Sequence, residues 1–218
     1  MSPMLITFSG LDGAGKSTLV RALRQTLEGQ NRPVAVFHMN DDVGVYAWLR
    51  QLRDRVGGTA RQHGDRPRHA TGKGMPTALR RLRDAVLWGK TLRRVIYPID
   101  LILFLGYRLY HEALRGRVLI MDRYFYDTLV DVADGRHWGL LRLFERLTPT
   151  PDLAVLLDVG PEESYARKAD YPVDYLRQRW LAYHTVFRWV RGALIIRNDD
   201  LRATQLAVAR LVGERLAA

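Results

Sequence analysis

The chain has 218 residues, of which 47% are hydrophobic and 26% charged, an ordinary balance for a protein able to bury a sizeable core. It contains no cysteine, which excludes a disulfide framework and any thiolate metal centre. The net charge of +11 is unevenly placed: Arg50–Arg94 carries thirteen Lys and Arg against three Asp, nearly the whole excess. Such a segment suits a small polyanion, a nucleic acid or a membrane surface, or is simply a solvated basic face.

The opening residues MSPMLITFSG carry no basic stretch ahead of a long apolar run, so no leader is expected. Met4–Ser9 reads as a buried strand, followed by a glycine-rich turn and a helix with Leu19, Leu23 and Leu27 at i, i+4 spacing. Pro33–His38 is the second strand, and a helix is expected over 43–55. Residues 56–76 have Gly, Pro and charge but no periodicity, the pattern of a long basic mobile loop. A long helical stretch follows from Thr77 to about Leu114, with a break expected near Pro98. Its apolar part, Val95–Tyr107, holds Pro98 and Asp100 and is too short for a membrane span of about 20 residues. Arg117–Met121, Leu153–Leu157 and Ala193–Ile196 are three further short apolar strands, and Asp199 or Asp200 is placed to cap a last helix. Strand–helix alternation along residues 1–218 predicts one doubly wound α/β domain with a five-stranded parallel sheet flanked by helices; the absence of cysteine agrees with a cytoplasmic protein, and the GxxxxGK[ST] match at Gly10–Ser17 makes the expected domain a P-loop NTPase.

Gly10-Leu11-Asp12-Gly13-Ala14-Gly15-Lys16-Ser17 fits GxxxxGK[ST] in full, between a predicted strand and a predicted helix. Glycines let backbone amides close around an anion where side chains would block it, and the helix beginning at Lys16 adds its N-terminal partial charge. The pattern makes Gly10, Asp12, Gly13, Ala14, Gly15, Lys16, Ser17 and Thr18 the ATP-binding candidates, with Lys16 reaching the β- and γ-phosphates and the Ser17 hydroxyl on Mg²⁺. Asp122-Arg123 follows the apolar run Val118–Met121, at a strand end where open α/β sheets present groups to ligands. Asp122 can hold Mg²⁺ or accept a proton, and Arg123 offers a fork for a phosphate. A capping Asp–Arg pair is the plainer alternative; Asp158, also at a strand end, is read as structural. Phe125, Tyr126, Trp88 and Tyr97 read as core before they read as a stacking surface for a base.

Three stretches, LITFSGLDGAGKST, VLIMDRY and PDLAVLLDVGPEESYARK, resemble the thymidylate kinase family in the right order over most of the chain. The resemblance implies an ATP- and Mg²⁺-dependent nucleotide kinase, Asp12 on the acceptor's sugar hydroxyl, Asp122 at the metal and Arg123 at the acceptor phosphate. It also implies a homodimer. Some family members carry a P-loop arginine where this chain has Gly13; others use a lid, which here makes Arg167 and Lys168, within a lid at about 167–175, the candidates for stabilising the transferring phosphoryl group. Two departures concern the acceptor half. The family's arginine-bearing motif after the second strand is replaced by FHMNDDVG, with His38, Asn40, Asp41 and Asp42, and the first arginine is Arg50, the remaining acceptor-binding candidate. Where the family places an aromatic against the deoxyribose, this chain has Asp131. The expected activity is transfer of the ATP γ-phosphoryl to a nucleoside monophosphate, dTMP first. A sugar, a glycan- or lipid-linked precursor or another hydroxylated metabolite is the alternative acceptor. The third reading is an ATP-switched nucleic-acid or membrane-surface binder, disfavoured because no helicase, recombinase or RNP-type motif accompanies the P-loop.

Overall fold

Alternation along the strands sorts the apolar side chains into two layers, one on each side of a sheet. A computed structural model describes residues 4–39, 42, 44–45, 90–133 and 137–217. The helix expected at 43–55, the loop 56–76, the first part of the long helix, Arg50 and Trp88 all fall wholly or mostly outside the described residues. Among the described residues the strands are β1 (Met4–Gly10), β2 (Val34–His38), β3 (Val118–Asp122), β4 (Leu153–Asp158) and β5 (Leu194–Arg197). The helices are α1 (Lys16–Gly29), α2 (Lys90–Leu109), α3 (Phe125–Val132), α4 (Trp138–Leu147), α5 (Pro161–Arg167), α6 (Val173–Phe187) and α7 (Leu201–Ala217).

All strand pairs are parallel and the order is β2-β3-β1-β4-β5, the five-stranded sheet expected from the alternation. Leu5, Phe37, Leu119, Met121 and Leu156 point into one layer, packed with side chains of α2, α3, α4 and α6. Met4, Ile6, Phe8, Ile120 and Val155 point into the other, covered by α1 and α7. Central strands buried on both faces explain why the sequence shows continuous apolar runs there. Leu19, Leu23 and Leu27 are buried on α1, and the Asp200 carboxylate caps α7 by accepting from the Arg202 and Ala203 amides at 2.8 and 3.2 Å.

The expected break at Pro98 does not occur: α2 runs through it and ends instead in a π-helical turn, Tyr110–Leu114. Pro98 lies on the exposed side, while Ile96, Tyr97, Leu101 and Phe104 are buried on the other. That packed face offsets the roughly 3 kcal/mol an internal proline costs. Phe125, Tyr126 and Tyr97 are core residues, each at most 2% exposed, so the plainer reading of these aromatics is the right one.

Because Leu5 is fully buried near the start of the central strand β1, Leu5→Ala is expected to lower the unfolding free energy by about 2–5 kcal/mol. Urea denaturation of the pair measures it; a loss under about 1 kcal/mol would mean that β1 is not held in a close-packed layer.

Candidate active site

The order β2-β3-β1-β4-β5 sets the carboxyl ends of β1 and β3 side by side, with Phe8 opposite Asp122. The chain leaves β1 toward β2 and leaves β3 toward β4, so a crevice opens above this pair. Gly10–Ser17 and Asp122–Arg123 therefore meet there although more than a hundred residues separate them.

Gly10 (φ 142°) has no space for a side chain, since a Cβ would come within 2.5 Å of the Leu157 carbonyl oxygen. From this point five consecutive backbone carbonyls are tied back by side chains. Lys16 Nζ donates to Gly10 O at 2.8 Å and Leu11 O at 2.7 Å. Ser164 Oγ donates to Asp12 O at 2.6 Å, Arg167 Nη1 to Gly13 O at 3.5 Å, and Asn198 Nδ2 to Ala14 O at 2.7 Å. Within the loop the Ala14 amide donates to Leu11 O at 3.2 Å, and the chain then enters α1 at Lys16, so the loop stands at a helix N-terminus. A glycine-rich loop in that place is where anion nests form. Ser164 and Asn198 were not singled out from the sequence. Asn198 stands one residue beyond β5, at the same sheet edge as the loop, and that position was the available signal.

Ser17 Oγ donates to Asp122 Oδ2 at 2.7 Å, joining the loop to the end of β3. Asp122 is buried, and His38 Nε2 from the end of β2 lies 3.7 Å from the same oxygen. The pair supplies two hard oxygens close together, the donor type Mg²⁺ accepts. Thr18 is exposed on the first turn of α1.

Arg123 adopts a left-handed backbone conformation, φ 68°, held by its amide donating to Phe8 O at 2.9 Å. Its guanidinium is in turn paired with the Asp12 carboxylate. Strain of this kind in a non-glycine residue is associated with functional sites. The two acceptor candidates thus share one ion pair. At the far end of α3, Asp131 pairs with Arg179 of α6 and with Arg93 of α2 at 2.7 Å. Burial alone would raise the Asp131 pKa, but the two guanidiniums hold it below the ordinary value.

Arg167 and Lys168 end α5 directly against the P-loop: a Cβ on Gly13 would lie 3.4 Å from the Cβ of each. Gly13, at φ 85°, has a backbone conformation that side chains rarely adopt, and a Cβ there would lie 3.2 Å from the Ser164 carbonyl oxygen. The Arg167 head reaches Gly13 O and Asn198 O and pairs with Glu163, whereas Lys168 is turned to Asp170 at 2.9 Å. Asp158 accepts from Trp180 Nε1 at 2.7 Å and lies 3.1 Å from His184 Nε2, joining β4 to α6.

No family model matches the chain. It is 32% identical over 191 residues to a thymidylate kinase of Chlorobium chlorochromatii, covering 80% of this chain and 70% of the relative. The chain belongs to the thymidylate kinase family. A thymidylate kinase of Symbiobacterium thermophilum is 28% identical over 217 residues, covering 97% of this chain and 88% of its own length. A probable thymidylate kinase of Pyrococcus abyssi is 26% identical over 175 residues. Membership places the chain among nucleotide kinases, a class of phosphotransferases.

Burial of the Lys16 ammonium, reinforced by the Arg123 charge and opposed by Asp122, Asp127 and Asp12, lowers its pKa to about 8. The unfolded chain holds that proton until roughly pH 10.4, so it binds more protons than the folded protein in the window between. Stability contributed by this group must then rise with pH across the window. The stability of the ligand-free protein relative to Lys16→Met is expected to increase by about 3 kcal/mol from pH 8 to pH 10.5, measured by urea denaturation of both. A flat difference would mean that the amine titrates as it does in water.

Proposed function

We propose that the protein transfers the γ-phosphoryl group of ATP to a nucleoside monophosphate, with dTMP the first acceptor, in a Mg²⁺-dependent reaction. The observation that carries this reading is the meeting of two pairs in one crevice: Ser17 with Asp122, and Asp12 with Arg123. The first fits the donor's metal and the second fits an acceptor that bears both a hydroxyl and a phosphate. Mg²⁺ bound by Ser17 and Asp122 would neutralise charge on the donor phosphates.

The residues of this chain bind and orient. The tied-back loop from Gly10 to Gly15 offers its amides to the phosphates, and Lys16 exchanges the Gly10 and Leu11 carbonyls for phosphate oxygens. Arg123 leaves part of its pairing with Asp12 to hold the acceptor phosphate, while the Asp12 carboxylate turns to an acceptor hydroxyl. Arg167 and Lys168, beside Gly13 at the start of a lid over 167–175, swing onto the transferring phosphoryl group as the site closes. Catalysis of this kind is mostly positioning and charge stabilisation.

A second acceptor class is favoured by one observation. At the carboxyl end of β2 stands His38, whose amide donates to the Asp42 carboxylate at 2.8 Å, in place of an arginine for a phosphate. That edge suits a hydroxylated acceptor such as a sugar or a glycan- or lipid-linked precursor. Steady-state assays with dTMP, dUMP, CMP and hydroxylated sugars separate the two, with Lys16→Ala as the inactive control. With the true acceptor, Asp12→Ala is expected to lower kcat/KM roughly ten- to hundredfold while leaving slow ATP hydrolysis nearly unchanged. Equal losses in both reactions would assign Asp12 to the donor or to the shape of the loop.

The exposed face of α2 supports a homodimer. Val95, Ile99, Ile102 and Leu109 are spaced 4, 3 and 7 apart and lie between 49% and 70% exposed, a narrow apolar stripe that a second copy of the helix would cover. Sedimentation of the wild type is expected to give a dimer and that of Ile102→Glu a monomer. A monomeric wild type would rule the assembly out.

A further inference from the structure

Asp127 carries none of the roles proposed above, yet it is the most connected buried acid beside the site. It lies on α3, is 3% exposed, and uses both oxygens. Oδ2 accepts from Ser9 Oγ at 2.5 Å and from the Tyr124 amide at 2.9 Å, and Oδ1 accepts from the Tyr183 hydroxyl at 2.6 Å. Capping of α3 explains one of these bonds, that to Tyr124. The other two are long-range. Ser9 immediately precedes Gly10, the first residue of the P-loop; Tyr124 immediately follows Arg123; and Tyr183 belongs to α6, the helix that follows Arg167 and the segment 168–172. One carboxylate therefore touches all three parts of the chain that must agree in position for phosphotransfer. Burial keeps the Tyr183 phenol well above its ordinary pKa, as does the nearby Asp127 charge, so the hydroxyl remains a donor. Arg179, which pairs with Asp131, also reaches the Tyr183 hydroxyl at 3.4 Å, so the same joint extends along α6.

A buried charge is expensive unless its hydrogen-bonding capacity is filled, and removing it would strand three buried donors. Two hydroxyls and an amide around a charged acid make a joint stiff in direction as well as in distance, which apolar packing between α3 and α6 would not. We propose that Asp127 is a positioning residue: its two oxygens couple α6, and with it the segment 168–172, to the P-loop and to Arg123, so that ordering of that segment over the nucleotide and setting of the Asp12–Arg123 pair occur together. This rests on the kinase reading and adds a residue to it that contacts neither substrate.

Ser9 and Tyr183 bond to different oxygens of Asp127, so a double-mutant cycle of Ser9→Ala and Tyr183→Phe in the full-length protein tests the coupling. Each single variant is expected to lower kcat about tenfold while changing KM for ATP less than about twofold, and the double variant to be at most about twice as slow as either. Independent anchors would instead multiply to about a hundredfold, and that result overturns the proposal. Val212→Ala, in the opposite core layer, controls for a general loss of stability and is expected to keep wild-type kcat below its unfolding temperature. A second readout needs no acceptor: amide hydrogen exchange over residues 169–176 on binding a non-hydrolysable ATP analogue. Protection there is expected to fall in Ser9→Ala as well as in Tyr183→Phe. Unchanged protection in Ser9→Ala overturns the coupling even if the enzyme is active. Lost protection in both variants, with no acceptor phosphorylated by the wild type, leaves the coupling standing and overturns only the kinase reading.

Discussion

A backbone that turns its amides toward an anion must find bonds for its carbonyls elsewhere. In this chain five consecutive carbonyls, Gly10 to Ala14, are satisfied by four side chains from three places: Lys16 of α1, Ser164 and Arg167 of α5, and Asn198 after β5. Much of the architecture follows from that need. β1 must be central so that β4 can bring α5 alongside the loop, and β5 must lie next to β4 so that Asn198 reaches it. The same crowding requires glycine at position 10, where a Cβ would come within 2.5 Å of the Leu157 carbonyl oxygen of β4, and the φ of 85° favours it at position 13.

The Arg123 side of the crevice is organised by ion pairs and by one hydrogen-bonded carboxylate. Asp12 with Arg123, Asp127 with its three donors, and Asp131 between Arg93 and Arg179 form a chain of acids from the P-loop to the far end of α3. Buried ion pairs of this kind add little net stability, since desolvation offsets much of their attraction. What they supply is orientation. Arg123 shows the effect most plainly: its left-handed backbone, its amide bond to Phe8 and its pairing with Asp12 fix the guanidinium beside the loop before any ligand arrives.

The two departures from the family's pattern also have structural counterparts. His38 at the end of β2 stands beside Asp122 and is joined to Asp42, so the edge that would present an arginine presents an imidazole and a carboxylate. Asp131 is engaged by arginines from two other helices. Both changes lie outside the glycine-rich loop Gly10–Ser17.

Local pattern determined the strands, and their alternation with helices the parallel pairing; the glycine-rich loop was legible in the same way. Apolar runs bounded by turns mark strands buried on both faces, and glycine spacing is a direct image of backbone conformation; both are properties of neighbouring residues. Asp122 and Arg123 were legible for the same reason, as polar residues at the end of an apolar run. The continuity of α2 through Pro98 was not, because a proline's local cost is overruled only by packing of the opposite face, which depends on partners distant in sequence. Ser164 and Asp127 were likewise invisible, and Asn198 was marked only by its place just beyond β5: a serine, an asparagine and a helical aspartate have ordinary local readings. Their importance comes from the carbonyls and hydroxyls that strand order brings to them, across 152 residues for Ser164, 184 for Asn198 and 118 between Ser9 and Asp127. A one-dimensional pattern reports what a residue's own backbone must do, whereas only the folded sheet decides whose hydrogen bonds it completes.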